Sequence, residues 1–201
     1  MLTLSTWKTP ATAYPEAKLG KAEIKTLRYR GIHRAYGLQG HQFYRARNLP
    51  IRSLAIEDET WMVDDPPHWW AMEDHARFYR GHVLVAGLGL GLIVHTLHQN
   101  SRVTRITVVE KERDVIDLVF PHLPHEKLAI EHGDFWDWDD PADGVFFDLF
   151  VGDGHELCFE ALRTYVHLVQ KFPRPIRIHG FDNEYFDSLG RSICNVELLR
   201  S

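Results

Sequence analysis

The chain has 201 residues, of which 44% are hydrophobic and 25% charged, with a formal net charge of −5 at pH 7. That is ordinary globular composition at a length suited to one compact unit. The acidic balance argues against a dedicated nucleic-acid binder, which would carry a basic domain or stripe. Arg28, Arg30, Arg34, Arg45, Arg47 and Arg52 make the first quarter cationic, a scatter that reads as a solvated face. The N-terminus lacks the basic-then-apolar pattern of a signal peptide. No apolar run approaches the ~20 residues needed to span a bilayer. The expectation is a cytoplasmic protein with no membrane association. The two cysteines, Cys158 and Cys194, lack metal-site spacing, and Cys158 is expected one turn into a helix and buried.

In chain order, residues 1–20 carry Pro10, Pro15 and Gly20 with little periodicity and read as an irregular lead-in. Short runs at Ile24–Tyr29, His41–Arg45 and Ser53–Ile56, separated by Gly31, Gly37, Gly40 and Pro50, predict a small antiparallel sheet of two to four strands. Asp64-Asp65-Pro66-Pro67 opens a helix reaching about Tyr79, since acids and prolines suit a helix start. Trp69, Trp70 and Met72 are expected in the core. An alternating series follows. It has strands at 82–86, 105–109, 128–131 and Val145–Val151, with helices at 91–99 and 112–119 between them. A helix from about Glu156 to Phe172, a strand at Ile176–Phe181 and a helix–strand stretch ending in Val196–Leu199 complete it. Strands alternating with helices of this length predict a Rossmann-like, mostly parallel sheet with flanking helices. The organisation expected is a β element over 1–63 and a nucleotide-binding part over 64–201, with an abbreviated C-terminal part.

Residues 83–91 read Val-Leu-Val-Ala-Gly-Leu-Gly-Leu-Gly, and Glu110 closes the next strand. Glycines are required where a backbone turns tightly and a ligand approaches it closely. An acid at the end of the second strand can accept from both ribose hydroxyls. The pair points to an adenosine-containing cofactor, and a Cβ branch at Gly87 or Gly89 is expected to intrude on it. The dinucleotide spacing G-x-G-x-x-G is not met, because the third glycine, Gly91, comes one residue early.

A third element, Gly133-Asp134-Phe135-Trp136 after the strand at 128–131, completes an ordered set. From Gly81 to Val151 the chain resembles class I S-adenosylmethionine-dependent methyltransferases and their relatives, the spermidine synthases. The resemblance implies that Gly87, Leu88, Gly89 and Gly91 pack against the methionine part. It places Glu110, with Lys111 beside it, on the ribose, and Asp134, with Phe135, on the adenine. A helix N-terminus also favours the anionic carboxylate of that cofactor.

Chemistry is expected beyond the fourth strand, at Asp153-Gly154-His155. Histidine, whose unperturbed side chain titrates near neutrality, suits proton transfer from an acceptor at His155, and Asp153 suits an attacking amine or a metal. Against spermidine synthases, Asp153 falls on the acid that engages the amine. Against small-molecule O-methyltransferases, Asp153, Asp182 and Asn183 resemble the oxygen ligands of Mg²⁺. The expectation is a methyltransferase acting on a small-molecule or peptide-borne oxygen or nitrogen nucleophile, and a homo-oligomer is compatible with it. An aminopropyl transferase and a non-catalytic cofactor-binding or assembly protein are the alternatives.

Overall fold

Two sheets organise this computed structural model, which describes residues 1–34, 43–150, 157–173, 175–181 and 183–189. The first sheet contains β1 (Leu2–Leu4), β2 (Ala17–Leu19), β3 (Ala22–Arg34), β4 (Phe43–Ile56) and β5 (Glu59–Val63). β3 and β4 pair antiparallel from Ala22↔Ile56 to Arg34↔Phe43. The other edge of β4 takes β1, parallel, at one end and β5, antiparallel, at the other.

These strands run longer than the sequence spacing predicts, because Pro50 lies inside β4 instead of ending a strand. The register shifts between Tyr29 and Arg30, and on the opposite strand Asn48 adopts a left-handed conformation with φ of 55°. An extra residue is absorbed at such a bulge, where proline is also tolerated. Arg30 fixes it, donating from Nε and Nη2 to Asn48 Oδ1 at 3.2 and 3.0 Å. The lead-in is likewise ordered: beyond β1, Thr9 caps a short 3-10 turn at Pro10–Ala13, with reciprocal bonds between Thr9 and Thr12.

The second sheet holds β6 (Gly81–Ala86), β7 (Val103–Glu110), β8 (Leu128–His132), β9 (Gly144–Phe147) and β10 (Ile176–Ile178). All are parallel, in the order β8-β7-β6-β9-β10. Helices α1 (Pro66–Ala76), α2 (Leu92–Gln99), α3 (Arg113–Val119) and α4 (Cys158–Lys171) lie between strands or before them, and residues 183–189 are helical. This is the expected Rossmann-like arrangement. Sequence order reverses between β6 and β9, the switch point where such sheets bind ligands.

Two strands end earlier than expected. β9 stops at Phe147 instead of Val151, because its neighbour β6 leaves the sheet at Gly87. The last pair is Ala86↔Phe147, followed by a bond from Asp148 N to Ala86 O. β10 stops at Ile178 instead of Phe181. The Asn183 side chain closes it, accepting from Ile178 N at 2.7 Å and donating to the carbonyls of Ile178 and Phe181. Cys158, expected to be buried, is the first residue of α4 and exposed. The stretch ending in Val196–Leu199 lies outside the described residues.

The largest core cluster is shared between the sheets. Ala11, Tyr14, Ile24, Leu54 and Ile56 pack with Trp69, Met72, Val83, Leu97 and Val108. Tyr14 also bonds His95 of α2, hydroxyl to Nε2, at 2.7 Å. The opposite face of the parallel sheet forms a second cluster around Leu84, Val145, Phe147, Tyr165 and Leu168. Among the described residues, no helix is long and apolar enough to cross a membrane.

Candidate functional site

The glycine turn begins where β6 ends. Gly87, Gly89 and Gly91 have φ of 87°, 51° and 70°, a region that L side chains rarely adopt. A Cβ on Gly87 would lie 3.0 Å from Asp148 O, and one on Gly89 would lie 2.5 Å from Met62 Sδ. The expectation that a side chain here would meet the ligand is therefore revised: it would first meet protein. Gly91 caps α2, and Leu88 and Leu90 point into the core. Met62, from β5, roofs the turn, and Leu90 N donates to its sulfur at 3.2 Å.

Glu110 is the last residue of β7 and is buried. Its Oε2 accepts from Leu88 N at 2.7 Å, and its Oε1 accepts from Glu112 N at 2.8 Å. Those bonds hold the carboxylate against the glycine turn. A carboxylate offers about four lone-pair directions, so two remain for a pair of vicinal hydroxyls. Two free acceptor positions of this kind fit the paired hydroxyls of an adenosine ribose. The exposed Lys111 follows, its carbonyl bonded to His132 Nε2 at 3.1 Å. Asp134 is exposed after β8, and its Oδ1 accepts from Trp136 N at 3.0 Å, opening a short 3-10 turn. Phe135 is buried with its ring 5.4 Å from that of Phe147, so it supports the turn from beneath.

Beside the glycine turn lies a group of residues that the sequence reading did not bring together. Asp65 caps α1 and accepts at Oδ1 from both His68 N, at 3.1 Å, and His68 Nδ1, at 2.7 Å. Asp148 follows β9, and His179 follows β10. The His68 and His179 rings are 5.6 Å apart, and His75 lies 5.7 Å behind His179. Burial pushes the imidazoles of His75 and His179 down to about 3. His68 behaves oppositely. Burial alone would lower it, but the hydrogen bond and charge of Asp65, with Asp148 and Asp64 beyond, hold it above the ordinary histidine value. Asp148 is pushed up to about 6 by burial, against the pull of His68. The available sequence signal was local: Asp65 as cap with a histidine three residues on. The partners at 148 and 179 are too distant in sequence to be read from spacing.

Asp64 is a separate feature. It is buried beneath Thr9, whose hydroxyl donates to Oδ2, and Trp7, whose Nε1 donates to Oδ1. Burial pushes its carboxyl up to about 7.

Asp153, His155 and Asp182 lie outside the described residues. Asn183 does not suit the metal role assigned to it by resemblance, since its Oδ1 and Nδ2 are both bonded to the backbone around β10. Among the described residues, no group of three or more His, Cys, Asp or Glu side chains could hold a metal ion.

No protein-family model matches the chain, and no curated protein matches it. Among solved structures, it is similar in part to a chain of the complex between the Haloferax volcanii Trm112 methyltransferase activator and a "putative methyltransferase". That match has 21% identity, 40% of this chain and 39% of that one, and a TM-score of 0.35. It is also similar to a "putative RNA methyltransferase" from Pyrococcus horikoshii, at 17% identity, 48% and 50% coverage, and a TM-score of 0.36. The chain spans half or less of either relative. The parallel strand order β8-β7-β6-β9-β10, flanked by helices, defines the Rossmann-like fold.

Proposed function

We propose that the chain is an S-adenosylmethionine-dependent methyltransferase acting on a small-molecule or peptide-borne oxygen or nitrogen nucleophile. The observation that carries this reading is Glu110, clamped by the Leu88 and Glu112 amides beside the glycine turn at the switch point. In this reading Glu110, with Lys111, holds the ribose, and Asp134 accepts from the adenine amino group over the Phe135 support. The turn from Gly87 through Leu88 and Gly89 to Gly91 carries the amino-acid end. The bound cofactor supplies a methyl group already activated on a sulfonium. The chain then contributes mainly position and exclusion of water. Asp153 and His155 stand as acceptor-side groups, a few residues after Phe150 in the sequence.

The test is calorimetry with S-adenosylhomocysteine. Glu110→Ala is expected to weaken binding by ~1–3 kcal/mol, the cost of losing hydrogen bonds to a charged group, with folding checked by circular dichroism. Unchanged affinity in the folded variant removes Glu110 from the ribose, and tight NAD binding by the parent overturns the reading. A sheet placed ahead of the nucleotide-binding part also suits aminopropyl transfer. Product mass after incubation with a nucleophile panel separates methylated from aminopropylated acceptors, and no product from either donor favours a non-catalytic role.

A further inference from the structure

We propose that the Asp65–His68 pair, set beside Asp148 at the switch point, is the proton acceptor for the nucleophile that is methylated. This rests on the methyl-transfer reading above and adds a group which that reading does not contain.

The geometry is that of an oriented base. Asp65 satisfies the start of α1 by accepting from His68 N, and helix capping needs nothing more. The same oxygen also takes His68 Nδ1 at 2.7 Å. A carboxylate on Nδ1 fixes the tautomer in which Nδ1 carries the proton and Nε2 presents a lone pair. A purely structural role accounts poorly for the pair, because a helix N-terminus disfavours a cation. Here an imidazole that gains positive charge sits in the first turn, and two carboxylates offset that cost.

Placement gives the pair a task. Asp148 O lies 3.0 Å from where a Cβ of Gly87 would be, so the cluster adjoins the turn assigned to the amino-acid end of the cofactor. The groups facing His68 are Asp64 and Asp65 from the α1 start, Asp148 from the β9 edge and His179 from the β10 edge, with His75 and Arg177 behind. Of the three imidazoles, His75 and His179 stay neutral through burial, and only His68 is set up to gain a proton. In the transfer, the nucleophile forms a bond to the methyl carbon as the carbon–sulfur bond breaks, and that electron pair stays on sulfur. The nucleophile's proton passes to His68 Nε2, and Asp65 balances the imidazolium. The acceptor class that needs this group is a hydroxyl or a protonated amine. The neighbouring carboxylates disfavour an anionic acceptor.

Histidine-resolved NMR on the full chain tests this. In the parent, His68 is expected to titrate above 6.5 as the Nδ1–H tautomer, and saturating S-adenosylhomocysteine is expected to move its resonances and its midpoint. Asp65→Asn is expected to lower the midpoint and mix the tautomers. With catechol and a lysine peptide as probe acceptors, kcat/KM should rise with pH through the His68 midpoint and follow it downward in Asp65→Asn. His68→Gln should lose about 100-fold or more of turnover while keeping S-adenosylhomocysteine affinity within twofold. If S-adenosylhomocysteine binds but leaves the His68 titration untouched, the pair lies away from the reacting centre and the proposal fails alone. If the parent binds no S-adenosylhomocysteine, the methyl-transfer reading fails first. Should neither probe be methylated, the NMR outcome decides. Equal losses of affinity and turnover in His68→Gln would also overturn it.

Discussion

The two sheets solve burial differently within one chain. In the parallel sheet, residues 83–86 of β6 and all of β9 are buried, because helices or the first sheet cover both faces. In the first sheet, β4 alternates exposed and buried side chains from Phe43 to Ala46, then becomes almost continuously buried from Ile51 to Ile56. That second half runs onto the shared core. The difference teaches that the covering layer decides a strand's composition, and that one long strand can serve two regimes. At the exposed end, Arg28, Arg30, Arg45 and Arg47 share the open face, with Arg30 directly opposite Arg47.

The largest expected effect sets one regime against the other. Leu84→Ala, in the doubly covered strand, should cost ~2–5 kcal/mol. Ile32→Ala, at 58% exposure on the open end of β3, should stay within about 0.5 kcal/mol. Urea denaturation of both variants checks this, and comparable losses would erase the distinction.

The buried ionisable groups divide by sign. The native Asp64 carboxyl keeps its proton to about 7, whereas the unfolded chain loses it near 3.8. Between those values the native state binds more protons, so this group's contribution to stability falls as pH rises through about 4 to 7. The slope is at most ~1.4 kcal/mol per pH unit. Asp148, raised to about 6, acts in the same direction. His75 and His179 near 3 and His95 near 4 act oppositely: the unfolded chain takes up protons below about 6.5 that the native state refuses, so stability is lost as pH falls. Asp64→Asn removes only its own contribution, so the variant should gain on the parent between pH 4 and 7. A pH series of urea melts in which the two curves stay parallel would rule out Asp64 as a buried, protonated acid.

Tyr14→Phe probes the seam between the sheets. Losing the bond to His95 should cost about 1–2 kcal/mol, and an unaffected urea midpoint would mean that packing alone joins the sheets. The smallest effect has the opposite sign. Arg47→Gln relieves a cross-strand like-charge pair and should stabilise by roughly 0.2–0.5 kcal/mol, fading at high salt. A destabilisation would mean that Arg47 makes a favourable contact instead.

Much of the parallel sheet was legible because its signals are local. The glycine turn, the apolar runs at β6 and β7 and the Asp65 cap each occupy a few adjacent residues. What sequence did not disclose depends on distant neighbours. β9 ends where β6 departs, and β10 ends where Asn183 reaches back. Pro50 survives inside β4 on a stretch whose outer edge neither β1, pairing to Ala46, nor β5, pairing from Ser53, occupies. Local spacing assigns nothing to His68, because Asp148 and His179 reach it from strand ends late in the chain. Glu110 could be read as an acid at a strand end, but not as one already held by two amides.

Met62 and Gly89 carry a consequence for how this architecture can change over generations. The sulfur of one fills the volume that a side chain on the other would need, and Met62 lies in the first sheet whereas Gly89 lies in the turn that leaves the second. A change at either is therefore constrained by the other. Among divergent chains sharing this arrangement, position 62 is expected to shrink wherever position 89 gains a side chain, and to stay large wherever glycine is kept. A collection of homologues can be read for that exchange of volume directly, as covariation between a roof and the floor it rests on.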